Sequence, residues 1–217
     1  MRKFFGIAAA AAALLMPAVA SAATVTTTSA TDTVINGGAG LRFTGSDGVI
    51  LTVTAGLYTG SNVITPGAQN ARPVAYSSGL GATNDGDSEH TVDGGGDLEA
   101  LILTFSAPVK ILSLTFGYFD SLDDFDFFFD TDANGSLNLV FSNFDIPNSA
   151  VADITGLFTS IGTVFGVGAG NSNDSFKLKK ITYEVVREVP VPAALPLFFA
   201  GLAGLGFATR KAARAKA

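Results

Sequence analysis

The sequence predicts an all-β protein, a single β-sandwich of jelly-roll type with about eight to ten strands. Thr, Val, Phe, Ile and Gly dominate its central part. Short apolar alternations there are separated by clusters of Gly, Asn, Asp and Ser, which is the pattern of sandwich strands and their turns. Between the two ends, no segment shows the sustained period of about 3.6 residues that a helix would give.

The first 22 residues are predicted to be a secretory signal peptide. Arg2 and Lys3 supply a positive start, and the apolar run at residues 4–15 is too short to span a membrane. The sequence Ala20-Ser21-Ala22 fits cleavage after Ala22, and cleavage after Ala20 is the alternative. The protein is therefore expected to be exported.

Residues 23–188 form the predicted sandwich domain and have the usual size of one domain. They hold all 19 acidic residues of the chain but only 7 of its 13 basic ones, so their net charge is −12. Such a charge repels nucleic acid and excludes it as a partner. The chain contains no cysteine, which excludes disulfides, thiol catalysis and thiolate metal sites.

Two early strands are predicted at residues 34–43 and 48–55, and two central strands lie on either side of Pro108. Residues 101–105 alternate, and Pro108 is expected to end this strand because proline has no N–H to donate. The strand after Pro108 is expected to turn one apolar face to the core. The residues on that face are Leu112, Leu114, Phe116 and Tyr118.

A hairpin is predicted next, with two late strands after it. Phenylalanine occupies every second position from 125 to 129, so Asp126 between them is expected on the solvent face. Asn134-Gly135 is a strong turn signal, and residues 137–141 form the returning strand. The late strands are residues 161–167 and 176–186. In the second, the alternation shifts by one at Lys179-Lys180, which predicts a bulge.

The last 29 residues have three parts in a fixed order: a proline-punctuated entry, an uncharged run and a basic tail. The tail residues are Arg210, Lys211, Arg214 and Lys216. An apolar run that ends in cations is a membrane stop. The 18 residues from 191 to 208 fall just short of the roughly 20 that a bilayer core requires.

This ending resembles the PEP-CTERM sorting signal of Gram-negative bacteria. The motif falls on Pro190-Val191-Pro192, with Val191 where the family has Glu, and Ala-Ala-Leu-Pro-Leu follows. The resemblance implies transient anchoring in the inner membrane, recognition and removal of the signal by an exosortase-type enzyme, and export to the cell surface or extracellular polysaccharide matrix. The alternative is an ordinary C-terminal anchor that stays in place.

A looser resemblance covers the middle of the domain. Gly79-Leu80-Gly81, the Glu89–Asp93 loop and the strand before Ala107-Pro108-Val109 are similar to the central part of many PEP-CTERM β-sandwich domains. It assigns no catalytic residue.

Calcium is the one candidate cofactor, and two loops could hold it. Asp130, Asp132 and Asn134, with Gly at the sixth position, match the opening of a calcium loop, although Phe141 stands where a bidentate Glu belongs. This segment could equally be a plain hairpin tip. The alternative metal loop contains Asp85, Asp87, Glu89 and Asp93, and it could equally be a solvated loop.

The sequence predicts that the protein is not an enzyme. The aspartates at 120, 123, 124 and 126 could supply a carboxylate pair for sugar chemistry, but strand alternation explains Asp126 without it. His90 is the only histidine and has no evident nucleophile or metal ligand beside it. There is no tryptophan to stack on a sugar ring; the tyrosines that could replace it are Tyr58, Tyr76, Tyr118 and Tyr183.

The first functional hypothesis is therefore a non-catalytic exported protein of the cell surface or extracellular matrix. The second is a calcium-dependent carbohydrate-binding module that docks on exported polysaccharide. A hydrolase or lyase that acts on that polysaccharide is the third.

Overall fold

A computed structural model describes residues 21–28, 34–35, 40–58, 63–64, 71–84, 90–132 and 135–186. They belong to one compact unit, Val19–Val186. The predicted signal peptide up to Ala20 and the predicted sorting segment, with its proline motif and basic tail, lie outside the described residues. Among the described residues, no helix is long and apolar enough to cross a membrane.

The described chain is all-β, as predicted, and every strand pairing in it is antiparallel. The strands are β1 (Ala22–Thr26), β2 (Val34–Ile35), β3 (Gly40–Thr44), β4 (Ile50–Tyr58), β5 (Val63–Ile64), β6 (Ala71–Tyr76), β7 (Gly79–Asn84), β8 (Val92–Asp93), β9 (Leu98–Gly117), β10 (Asp124–Phe129), β11 (Leu137–Asp145), β12 (Val151–Asp153), β13 (Gly162–Gly168) and β14 (Ser175–Val185). Their number exceeds the predicted eight to ten because several are two- or three-residue pieces.

The long strand β9 joins two arms of one hydrogen-bonded network. Its first part, residues 98–105, pairs with β4 on one edge and β13 on the other. The strands in the order β2-β3-β4-β9-β13-β10-β11-β5 are called the first arm. The last part of β9, residues 109–117, pairs with β14 and β12, and these strands with their further partners are called the second arm. On its other edge β14 pairs with β1, β7 and β8, and β6 continues from β7.

The prediction that Pro108 ends a strand is wrong. β9 runs through Pro108, and only its pairing with β13 is interrupted, by a register shift between Val164↔Thr104 and Gly162↔Val109. A proline removes one N–H from one edge of a strand and leaves its carbonyl able to accept. The Pro108 carbonyl accepts a bond from the Val186 N–H at 3.0 Å. The proline therefore lies where β9 passes from one arm to the other.

The predicted apolar face after Pro108 is wrong at both ends. Consecutive Thr182 and Tyr183 pair with Ser113 and Ile111, so Leu112 is an extra residue in the ladder. Ile111 is fully buried in its place, and Tyr118 is 68% exposed. The bulge predicted at Lys179-Lys180 is confirmed, because Leu178 pairs with Phe116 and Lys180 with the adjacent Thr115.

The main core contains residues from both arms, which makes the fold sandwich-like. Phe105 of the first arm packs against Tyr183 of the second, with 5.1 Å between ring centroids. Phe127 contacts Phe158 at 5.0 Å and stacks on Phe141 at 5.1 Å. The aromatic rings of this core make edge-on, tilted and stacked contacts. Such contacts contribute stability beyond that of the apolar area the rings bury.

A second, smaller core covers the other face of the first arm. It contains Tyr58, Ile64, Ala100, Ile102, Phe128 and Leu137. Both faces of β10 are consequently buried. The prediction that Asp126 faces solvent is wrong, since this residue is only 4% exposed.

Phe127→Ala is expected to lower the free energy of unfolding by about 3–5 kcal/mol. The ring is fully buried among other phenylalanines, so its loss leaves a cavity that the paired strands cannot close. Denaturant unfolding of the full-length chain, followed by circular dichroism, measures the change. Leu157→Ala is the control; Leu157 is 55% exposed, so its loss should cost less than about 0.5 kcal/mol. Equal effects of the two variants would contradict the assigned core.

Candidate functional site

The first predicted metal loop is used, as far as it is described, to close the β10–β11 hairpin. The Asp130 carboxylate accepts a bond from the Gly135 N–H at 2.9 Å, where Gly135 has a left-handed φ of 87°. The Asn138 amide donates to the Thr131 hydroxyl at 3.0 Å and to Asp132 at 3.5 Å. Asn134 lies outside the described residues.

Only Asp93 of the alternative metal loop is described; Asp85, Asp87 and Glu89 lie outside the described residues. The Asp93 carboxylate accepts a bond from the Gly95 N–H at 2.9 Å. The backbone N–H of Asp93 donates to the carboxylate of the fully buried Glu99 at 3.3 Å. Sequence reasoning missed Glu99. Within the described ranges, no group of three or more His, Asp or Glu side chains is placed to hold a metal ion.

The structure brings Asp123, Asp124 and Asp126 together with Asp174. The first three belong to the group of four aspartates noted in the sequence, and Asp174 was missed. Asp123, Asp126 and Asp174 are all at least 96% buried. Their donors are mainly backbone amides: Asp174 accepts from Asp124 N at 3.1 Å and Asn171 N at 2.8 Å. Backbone donors at strand ends stabilise charge without a counter-ion.

Asp126 is held between the two cores. The Tyr58 hydroxyl lies 3.0 Å from Asp126 Oδ2 and 2.6 Å from the Ala169 carbonyl oxygen, and Asn143 N donates to Asp126 Oδ1 at 2.9 Å. A Cβ on Gly170 would lie 2.7 Å from Asp126 Oδ1. A side chain at position 170 would therefore require the Asp126 carboxylate to shift.

Burial raises the pKa values of three of these carboxyl groups. It raises the pKa of Asp124 to about 6, with help from a hydrogen bond to Asp145 and the charge of Asp174. Burial also raises the pKa values of Asp126 and Asp174. The pKa of Tyr58 is raised by burial and by the neighbouring Asp126. Asp124, Asp126 and Asp174 thus favour a proton more than an exposed aspartate does.

A surface pocket adjoins this buried group. Asp123 Oδ1 accepts from Ser175 N at 2.8 Å, and Asp123 Oδ2 accepts from Asp120 N at 2.5 Å. These bonds tie the turn after β9 to the start of β14. We call the depression between them the Tyr118 pocket; its volume is about 300 Å³, and its lining residues are Tyr118, Phe119, Asp120, Asp123, Asn173 and Ser175.

Aromatic rings extend from this pocket across the surface. Lys177 Nζ lies 5.0 Å from the Tyr118 ring centroid and 4.2 Å from that of Tyr76, and Tyr76 stacks on His90 at 5.4 Å. Burial lowers the pKa of Lys177. Of the four tyrosines considered as sugar platforms, Tyr58 and Tyr183 are buried in the cores, which leaves Tyr76 and Tyr118.

The Tyr118 pocket offers an exposed ring, a carboxylate, an amide and a hydroxyl at one edge of the fold. Such a set binds polar ligands that also have an apolar face. Comparison of the chain with protein-family models, curated proteins and solved structures gave no match. The chemistry of these side chains is therefore the guide to function.

Asp124→Asn is expected to gain stability relative to the natural chain as the pH rises from about 4 to about 6. In the folded protein the pKa of Asp124 is raised from 3.8 to about 6, so the folded state binds more protons in this interval. Ionisation of Asp124 then favours unfolding, and asparagine removes that contribution. Denaturant unfolding of both full-length chains across the interval measures the difference.

Asp97→Asn removes the same charge from an exposed position and is the matched control. Its stability relative to the natural chain should change less over the same interval. An Asp124→Asn advantage that stays constant as the pH rises would show that Asp124 ionises as an ordinary exposed aspartate, and one that shrinks would show that folding lowers its pKa; either result contradicts the assignment.

Tyr58→Phe is expected to cost about 1–3 kcal/mol of unfolding free energy, because it removes a donor from the buried Asp126. Tyr118→Phe removes the same hydroxyl from a ring that is 68% exposed, and should change the stability by less than about 0.5 kcal/mol. Thermal and denaturant unfolding of the two full-length variants compare them directly. If both variants unfold alike, Tyr58 does not support Asp126.

Proposed function

We propose that this chain is a non-catalytic exported protein of the cell surface or extracellular matrix of a Gram-negative bacterium. The main support is the order of segments along the chain. These are a basic and apolar leader, an acidic domain, the Pro190-Val191-Pro192 motif, an uncharged run and a basic tail. A membrane stop preceded by a proline motif can hold the chain in the inner membrane while an exosortase-type enzyme acts on it.

The described domain suits this role. It is an antiparallel, sandwich-like fold, with a net charge of −12 over residues 23–188 and no cysteine. A large negative charge keeps a protein soluble and repels polyanions. Extracellular polysaccharide is the proposed partner, and a jelly-roll connection of the two arms is the proposed topology.

A second candidate is a calcium-dependent carbohydrate-binding module. The exposed Tyr118 ring beside Asp120 and Asn173 favours carbohydrate binding, since aromatic faces and hydrogen-bonding side chains together recognise such ligands. The calcium would bind at one of the two predicted loops. This candidate differs from the first in that the ion is required for the interaction.

Deletion of residues 195–217 is expected to release the protein into the periplasm or medium, because it removes both the uncharged run and the basic tail. The measurement is fractionation and immunoblotting of the full-length chain and the deletion, in a host that has an exosortase-type enzyme. Unchanged surface location and processing after the deletion would contradict the proposal.

The variant with Pro190→Ala and Pro192→Ala separates sorting from permanent anchoring. It keeps the uncharged run and the cations and changes only the motif. If the protein is sorted, a C-terminal epitope should be removed from the natural chain. The variant should keep this epitope and remain in the membrane fraction. A permanent anchor would keep the epitope in both.

A further inference from the structure

The Tyr118 side chain is held outside the fold on an unusual backbone. Its φ is +51°, and its ring is 68% exposed. A bulky residue with positive φ is uncommon and costs stability, so the surrounding structure must enforce it. Such a conformation at an exposed aromatic ring points to a binding role, because folding gains little from it.

The turn that carries Tyr118 is already organised before any ligand binds. Asp123 joins it to β14 through the Ser175 N–H, and Leu122 N donates to Asp120 Oδ1 at 2.7 Å. Asn173 Nδ2 donates to the Leu122 carbonyl at 3.2 Å. A pocket whose walls are fixed in this way loses little conformational freedom on binding.

The chemistry of the walls selects the ligand. Asp120 and Asn173 are exposed, and together they accept and donate hydrogen bonds. The Tyr118 ring offers an apolar face beside them. A ligand that matches both has hydroxyl groups around its edge and C–H groups on its face, as a pyranose ring has.

The charged side chains around the pocket further restrict the class of ligand. The carboxylates of Asp120 and Asp123 line the pocket, and they repel an anionic sugar. The Lys177 ammonium already lies 5.0 Å from the Tyr118 ring centroid, within the range of a cation–π contact of about 6 Å. Lys177 already occupies the cation–π position at that ring, so an ammonium ligand would have to displace it to make the same contact. A neutral sugar meets neither penalty.

We propose that the Tyr118 pocket binds a neutral glycan, with Tyr118 as the stacking platform and Asp120 and Asn173 as hydrogen-bonding groups. The pocket volume of about 300 Å³ lies at the low end for ligand sites, which suits one or two sugar units of a longer chain. This inference rests on the proposed function for its biological setting, because it names the kind of matrix polysaccharide that the exported protein would hold.

Affinity electrophoresis tests the pocket directly. The full-length chain, purified in a detergent without a sugar headgroup, is run through gels that contain soluble α-glucan, β-glucan, galactomannan or arabinogalactan. Gels with polygalacturonate test an anionic polymer, and tetramethylammonium is added as a competing cation. The expected result is retardation by at least one neutral polysaccharide that the cation does not relieve.

Three substitutions of Tyr118 and one control distinguish binding from folding. Tyr118→Ala and Tyr118→Gly should weaken retardation about tenfold through loss of the ring, and Tyr118→Gly should unfold no earlier than the natural chain because glycine tolerates positive φ. Tyr118→Phe should bind within about threefold, since it keeps the apolar face. Ile161→Ala, at an exposed residue outside the pocket lining, should bind as the natural chain does.

The proposal fails if no neutral polysaccharide retards the chain, if only polygalacturonate does, if tetramethylammonium displaces the glycan, or if the Tyr118→Ala and Tyr118→Gly variants bind normally. These results are independent of localisation. If the chain is sorted correctly but binds no neutral glycan, the proposed function stands and the glycan-binding pocket is refuted. If the chain binds a neutral glycan but its location does not depend on the C-terminal segment, the pocket stands and the sorting proposal is refuted.

Discussion

The two arms of this fold stay together because one continuous strand belongs to both. β9 offers its backbone to β4 and β13 before Pro108 and to β14 and β12 after it. A chain without cysteine cannot tie two sheets with disulfides, so a shared strand and a shared core must do so. Phe105 and Ile111 lie on β9 on either side of the proline, and both are buried in the main core. The path of this strand therefore sets how the aromatic rings of the two arms meet.

Burying both faces of the first arm has an electrostatic consequence. Asp126 cannot point to water, because Phe128 and Tyr58 occupy its side of β10. Its charge is supported by backbone and hydroxyl donors at the ends of strands, and the same solution serves Asp123 and Asp174. Burial raises the pKa values of Asp126 and Asp174 above that of an exposed aspartate. The turn between β9 and β10 is held by Asp123, so the shape of the Tyr118 pocket depends on a buried carboxyl group.

Local pattern was enough to predict most of the longer strands, but it missed β1, β6 and β7. It also failed where the answer depended on distant neighbours. The bulge at Lys179-Lys180 was readable because a charged pair interrupts an apolar alternation. The bulge at Leu112 was not, since Ile111 and Leu112 are both apolar and either could face the core. Asp126 was misplaced because alternation alone assumes one wet face, whereas β5 and β11 help to cover the second face here.

The candidate site was still harder to predict, because its parts come from separate segments. Tyr118 was named as a possible sugar platform, yet its alternation assigned it to the core. Asn173 and Ser175 lie more than 50 positions away along the chain, and no spacing rule connects them to Tyr118.

An exposed tyrosine at positive φ costs of the order of 1 kcal/mol in backbone strain, while its ring gains little from burial. Asn143 and Ala150 have a left-handed φ as well, but of these three residues only Tyr118 combines it with an exposed aromatic ring. The rigid turn, the polar walls and the Lys177 ammonium beside the ring form the surface for which we propose neutral-glycan binding. If the protein is exported as proposed, a preference for neutral polymers would be useful among polymers that differ chiefly in charge. The strain at Tyr118 is thus better explained by recognition than by folding.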